Sequence, residues 1–238
     1  MKEQDCCIVT YADRDGDIKG ATRLYESIKR FNPQMHFCQF KNHQIIGAPA
    51  HKDKPYAFKY FAILEGFRRG FKNVLWLDAS TWKINNGLRV FEQIEENGYF
   101  FQDSGFSLGQ WSSDEFLRYW MYTREYALKI NMIQGGIFGF NHEWDKKGFM
   151  IPALCQMGQD TACLDGAWTN ERHQVSSDER CKGHRHDMCL TTALVKEGEL
   201  KVHKQFKYYA MKEWCDKYTR CPDPEWPTSD IEYLAQGM

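Results

Sequence analysis

The residues with the plainest chemical promise stand where an apolar run stops. Val74-Leu75-Trp76-Leu77 has the make-up of a buried strand, and Asp78-Ala79-Ser80 follows with a carboxylate and a hydroxyl two positions apart. Functional groups of open α/β sheets gather at such strand ends. A buried, unpartnered carboxylate costs several kcal/mol, so Asp78 calls for a cation or a sugar hydroxyl at the mouth of a cleft. A turn or a helix cap would account for the same two residue types. A second cluster, Cys181, His184, His186 and Cys189, consists of zinc-ligand types. Its spacing is not that of a finger: residues two apart share a side of a strand but diverge on a helix, and no second cysteine pair follows at ribbon spacing.

The elements that must carry these groups alternate between strand and helix. Asp5 to Tyr11 reads as a strand, and Asp17 to Phe31 as a helix with Ile18, Ala21, Leu24, Ile28 and Phe31 on one stripe before Asn32-Pro33. Met35 to Phe40 is a second strand. Lys54-Pro55 opens a helix bearing Phe58, Phe61 and Leu64, with Arg68 and Arg69 in its last turn and Gly70 at the cap position. After the strand ending at Asp78 come a helix over 87–96, a strand Tyr99 to Gln102 closing on Asp103, and an aromatic-rich stretch from Trp111 to Tyr126. Asn131 to Asn141 reads as a strand interrupted at Gln134-Gly135-Gly136, where two glycines imply a bulge or a close approach to the backbone. Helices near 144–157 and 186–197, then a strand near 200–203, complete a domain over 1–213. The proline-bearing segment 214–238, with Pro222, Pro224 and Pro227, reads as a strap or linker. The fold class expected is a single α/β domain with a mixed, mainly parallel sheet flanked by helices.

Composition narrows the function classes. The 238 residues hold 42% hydrophobic and 15% aromatic side chains, enough for one substantial core. Thirty-one basic residues face 32 acidic ones, so no bulk charge favours nucleic acid or an anionic membrane. No apolar stretch approaches the roughly 20 residues of a membrane span, and no signal-peptide pattern opens the chain, so the mature chain is expected to start at residue 1. Nine cysteines without a framework fit reduced thiols in a cytoplasmic setting. G-x-G-x-x-G, G-x-x-x-x-G-K-[ST] and G-x-S-x-G are all missing, which argues against dinucleotide folds, P-loops and serine-hydrolase elbows.

The order Ile8-Val9-Thr10-Tyr11-Ala12, Lys54 to Lys59, Leu75 to Ser80, Gln134 to Asn141 and His184-Arg185-His186-Asp187-Met188 resembles GT-A-fold nucleotide-sugar glycosyltransferases, especially small ones of bacteria and large DNA viruses. The resemblance covers most of residues 5–205. It implies a Rossmann-like GT-A sheet, a UDP-sugar donor, a glycan or glycoprotein acceptor such as a viral capsid glycoprotein, and a divalent metal. It places the nucleoside at Thr10, Tyr11 and Ala12, the donor phosphates at Lys59 with Lys54 nearby, and the donor sugar at Gln134, Gly135 and Gly136. It aligns Asp78-Ala79-Ser80 with the D-x-D metal motif, with Ser80 in place of the second acid, and His203 with the histidine completing such sites; imidazole beside oxygen ligands favours Mn²⁺ over Mg²⁺. Asp187 corresponds to an acid near the anomeric carbon, with Met188 where a glutamine is usual. Asp187 and Asp103 are the expected catalytic carboxylates.

Metal-dependent glycosyl transfer is thus the leading expectation. A donor-binding module without turnover and a zinc-ordered interaction protein are the alternatives.

Overall fold

The computed structural model describes residues 2–213 and 230–236. Its central sheet has five strands in the order β2-β1-β3-β8-β5. Strand β1 (Cys6–Tyr11) runs parallel to both β2 (His36–Phe40) and β3 (Asn73–Leu77), and β8 (Ile137–Asn141) is antiparallel to β3 and to β5 (Tyr99–Phe100). The sheet is therefore mainly parallel, with β8 the reversed strand. Every residue of β1, β3 and β8 is buried, which explains why these strands read as continuous apolar runs rather than alternating ones.

Helix α1 (Asp15–Phe31) buries its Ala21, Leu24 and Ile28 stripe and leaves the rest largely to solvent. Helix α2 (Phe58–Arg68) is buried on most sides, packing on β1 and β3 and against α7 (Met150–Asp160). That enclosure places one polar side chain, Lys59, inside the protein at 4% exposure. The helix begins later than the Lys54-Pro55 signal predicts. Lys54 is drawn away, its ammonium on Asp165 at 3.0 Å and the Thr161 carbonyl at 2.9 Å, and Tyr56 adopts a left-handed backbone with φ 63°.

Beyond β3 lie β4 (Thr81–Lys83), α3 (Arg89–Asn97), β6 (Asp103–Ser107), the short helices α4 (Asp114–Tyr119) and α5 (Arg124–Ala127), and β7 (Asn131–Ile133), which pairs with β6. Helices α6 (His142–Gly148) and α7 divide the single helix expected over 144–157, with Phe149 at φ 54° marking the break. Helix α8 (His186–Glu197) falls where the sequence places it. The strand expected near 200–203 reduces to a single bridge between Gln102 and His203.

A second sheet has the order β4-β10-β9, with β9 at Tyr209–Met211 and β10 at Tyr233–Ala235. Its centre strand comes from the segment read as a strap. Ile231, Glu232, Tyr233 and Ala235 are buried there; residues 214–229 and 237–238 of that segment lie outside the described residues.

Candidate functional site

The end of β3, the first turns of α2 and α8 and the Gly135-Gly136 turn before β8 converge on one ammonium. Lys59 Nζ lies 3.1 Å from Asp78 Oδ1 and 2.8 Å from Asp187 Oδ2, and donates to the Gly135 carbonyl at 2.9 Å. Burial works to lower the Lys59 pKa, but Asp187 and Asp78 together hold it above the ordinary lysine value, so the group is a fixed cation. Burial likewise pushes the Asp187 carboxyl up, against the pull of Lys59. Trp76 Nε1 donates to Asp78 Oδ1 at 2.9 Å, and Asp78 N donates to the Gly136 carbonyl at 3.0 Å, so side chain and backbone of Asp78 are both oriented. Tyr60 holds the start of α8 by donating its hydroxyl to the Asp187 carbonyl at 3.0 Å.

Two hollows meet over this cluster, sharing Tyr56, Lys59, Asp78 and Ser80. The first, about 680 Å³ of open space, is walled by Tyr11, His51, Tyr56 and Phe58, with Asp13, Arg14 and Asp17 at its rim. Tyr11 stacks on Phe58 at 4.4 Å between ring centroids. The second, about 1310 Å³, is lined by Gln102, Asp103, Gln134, Asp187 and Met188 and by Phe106, Trp168 and Arg185. Arg185 is clamped between two indoles, 3.6 Å from the ring centre of Trp168 and 3.9 Å from that of Trp111. No carboxylate among the described residues pairs with it, and its Nη1 is buried without a hydrogen-bond partner.

The cleft gathers Tyr11, Lys59, Asp78, Ala79, Ser80, Asp103, Gln134, Gly135, Gly136 and Asp187, as the sequence predicts. Thr10 and Ala12 do not line it: both are fully buried, and Ala12 packs with Ala21 and Ala79. Asp103 lies at the edge with both oxygens engaged, accepting from Gly105 N and Asn131 Nδ2 at 2.7 Å each. The glycine pair also answers to the protein's own side chains. A Cβ on Gly135 would stand 2.8 Å from Asp187 Oδ2, and one on Gly136 would stand 2.3 Å from the Tyr209 hydroxyl, so the protein's own side chains crowd these positions. Tyr56, His51, Trp168 and Arg185 were missed as cleft residues. Tyr56 alone carried a local signal, since it follows Pro55 at a helix start; the others reach the cleft through tertiary packing.

The metal site expected from Asp78, Ser80 and His203 is not assembled. His203 stacks on Phe100 at 5.2 Å and meets Tyr208 edge-on at 5.3 Å, and it is absent from the lining of both hollows. Asp78 Oδ1 is already engaged by Lys59 and Trp76, which leaves one carboxylate oxygen and a neutral hydroxyl as the protein's donors, a poor set for a hard divalent ion. Among the described residues no group of three His, Cys, Asp or Glu side chains could hold a metal ion. The same applies to the zinc cluster. His184 Nδ1 accepts from Ser113 N and its Nε2 meets the Cys163 carbonyl, His186 Nδ1 meets the Leu164 carbonyl, and the Cys181 and Cys189 thiols donate to the Ser112 and Trp111 carbonyls. The cluster ties α8 to the preceding segments.

By sequence, the chain matches no protein-family model and no curated protein. By structure, it is similar to mouse xyloside xylosyltransferase 1 in its apo form, with TM-score 0.54 and 9% identity over 98% of this chain and 97% of that one. It is also similar to a glycosyltransferase involved in the glycosylation of the major capsid of PBCV-1, with TM-score 0.53 and 9% identity over 97% of this chain and 91% of that one. The chain thus has a glycosyltransferase fold. No helix among the described residues is long and apolar enough to cross a membrane.

Proposed function

We infer that the protein transfers a glycosyl group from a nucleoside diphosphate sugar to a hydroxyl of a glycan or glycoprotein. The observation that carries this reading is the meeting of the two hollows at Asp78 and Lys59: one is ringed by aromatics suited to a base, the other by amides and carboxylates suited to sugar hydroxyls. A donor laid across the junction puts its nucleoside beside Tyr11, His51 and Tyr56, its diphosphate over the charged cluster, and its sugar toward Gln134 and Asp187. The acceptor then rests against Trp168 and Phe106, whose faces suit a sugar ring. The resemblance to UDP-sugar enzymes makes uridine diphosphate the donor carrier to test.

In the reaction the bond from the anomeric carbon to the diphosphate oxygen breaks, a bond to the acceptor oxygen forms, and the acceptor proton passes to a carboxylate of the cleft or to the departing diphosphate. Asp187, buried and held by Lys59, faces the carbon that gains positive character, and its raised pKa suits a group that shares a proton. Arg185, which has no carboxylate partner among the described residues, would meet charge developing on the leaving diphosphate. One observation favours a second reading, donor binding without turnover: Met188 presents a thioether to the sugar hollow where a hydrogen-bonding side chain would be expected.

Calorimetric titration with UDP, followed by assays of UDP-sugar hydrolysis and transfer, tests both readings. Binding with turnover supports the transferase, binding without hydrolysis or transfer supports the binding module, and absence of binding to UDP, GDP and dTDP removes both.

A further inference from the structure

The charge at the centre of the cleft is already balanced by a side chain. Both carboxylates nearest the junction, Asp78 and Asp187, are ion-paired to a single ammonium, that of Lys59, which also donates a hydrogen bond to the Gly135 carbonyl. A divalent ion set among the same carboxylates would need two or more of their oxygens and would lie within a few ångströms of a permanent cation, a strongly repulsive arrangement at this burial. The replacements around the cluster point the same way. The second motif position is Ser80 rather than an acid, and His203 is committed to the packing of Phe100 and Tyr208. Countercharge for an anionic ligand is available elsewhere, from the guanidinium of Arg185 on the cleft wall.

We propose that the Lys59 ammonium occupies the position a divalent cation would take, so that nucleoside diphosphate binding in this cleft is independent of metal ions. This rests on the donor reading above for the ligand but not for the absence of the ion. The lysine bridges Asp78 and Asp187 and holds them close together, and removing it should turn the site into one that a metal can enter, because two carboxylates within about 3 Å of the same point are then left without a cation.

Two measurements on the full chain decide the matter. The first is UDP calorimetry in EDTA and in Mn²⁺; the second is the electron paramagnetic resonance signal of free Mn²⁺ with protein alone and with protein plus UDP, corrected for the ion that UDP alone sequesters. The expected result is a UDP affinity equal within about twofold in both buffers, with Mn²⁺ left free by the wild type. Lys59→Ala should then deplete the free Mn²⁺ signal, and Lys59→Ala/Asp78→Asn should restore it. Because the wild-type comparison does not depend on any variant folding, it stands alone. Stoichiometric Mn²⁺ uptake by the wild type that is lost in Asp78→Asn, or UDP binding that requires Mn²⁺, overturns the proposal. If UDP, GDP and dTDP bind in neither buffer and Mn²⁺ stays free, the donor reading of the cleft is lost while the metal-free site is upheld.

Discussion

Two lysines are buried among the described residues, and they are kept in opposite electrostatic states. Lys59 has two carboxylates within 3.1 Å and is held above its ordinary pKa. Lys83, on β4, has one, Glu232 at 3.7 Å, together with the Gly87 carbonyl and the Tyr233 ring; burial dominates there and brings Lys83 down to about 8. Glu232 is pushed up by the same burial and accepts from Arg89 N. The first cluster sets two carboxylates around one ammonium and opens onto a cleft. The second is a neutral pair sealed between β4, β10 and the start of α3. Carboxylate number, rather than depth, decides whether a buried ammonium is a fixed charge or a group near its titration point.

The contrast can be broken most forcefully at Asp187. Asp187→Asn keeps the shape and removes the charge, and should lower the transfer rate about 10²–10⁴-fold while UDP binding changes far less, as read by single-turnover transfer beside calorimetry. Equal losses in both would make Asp187 a binding residue only. Next come the single-lysine variants. Lys59→Met and Lys83→Met each remove one partner of a buried pair and should cost about 3–5 kcal/mol in urea unfolding, but only Lys59→Met should weaken UDP binding. The double variant Lys83→Met/Glu232→Leu sharpens the point: with both charges gone, stability should return to within about 1–2 kcal/mol of wild type, or exceed it, at unchanged UDP affinity.

The smallest effect is one of pH. The folded-state pKa of Lys83, about 8, is below its unfolded value of about 10.5, so between these values the unfolded chain binds more protons and the Lys83 contribution to stability rises with pH. Wild type should therefore gain stability relative to Lys83→Met across that window. A flat difference between the two would place the folded lysine at its ordinary pKa.

Much of this arrangement was legible in the residues, and what was not has a common physical origin. The five central strands, the helix starting at His186 and the Gln134-Gly135-Gly136 break are written in local pattern, and the structure has them close to where the pattern puts them. Asp78 could be named because a strand end is a local feature, whereas Lys59 and Asp187 followed from the resemblance to GT-A-fold glycosyltransferases. Their mutual contact could not be named, since it depends on α2 being enclosed on most sides. His203 was misplaced because a histidine after a short apolar run looks the same whether it ligates or stacks on Phe100. The second sheet was invisible for a related reason: three-residue strands carry almost no periodic signal, and β10 lies beyond a proline-bearing stretch that reads as a linker.

That last strand has a bearing on how the molecule is made. β4 leaves the Asp78-Ala79-Ser80 turn directly, and its partner in the sheet is β10, more than 150 residues later; Ala235 pairs with Thr81, and Gln236 N reaches the Ser80 carbonyl at 3.3 Å. A ribosome delivering the chain from its N-terminus releases the turn well before the strand that pins it. The five-stranded sheet has all its strands by residue 141, whereas the floor of the cleft must wait for residue 236, so nascent chains stalled before that point would carry a folded sheet beneath an unpinned turn.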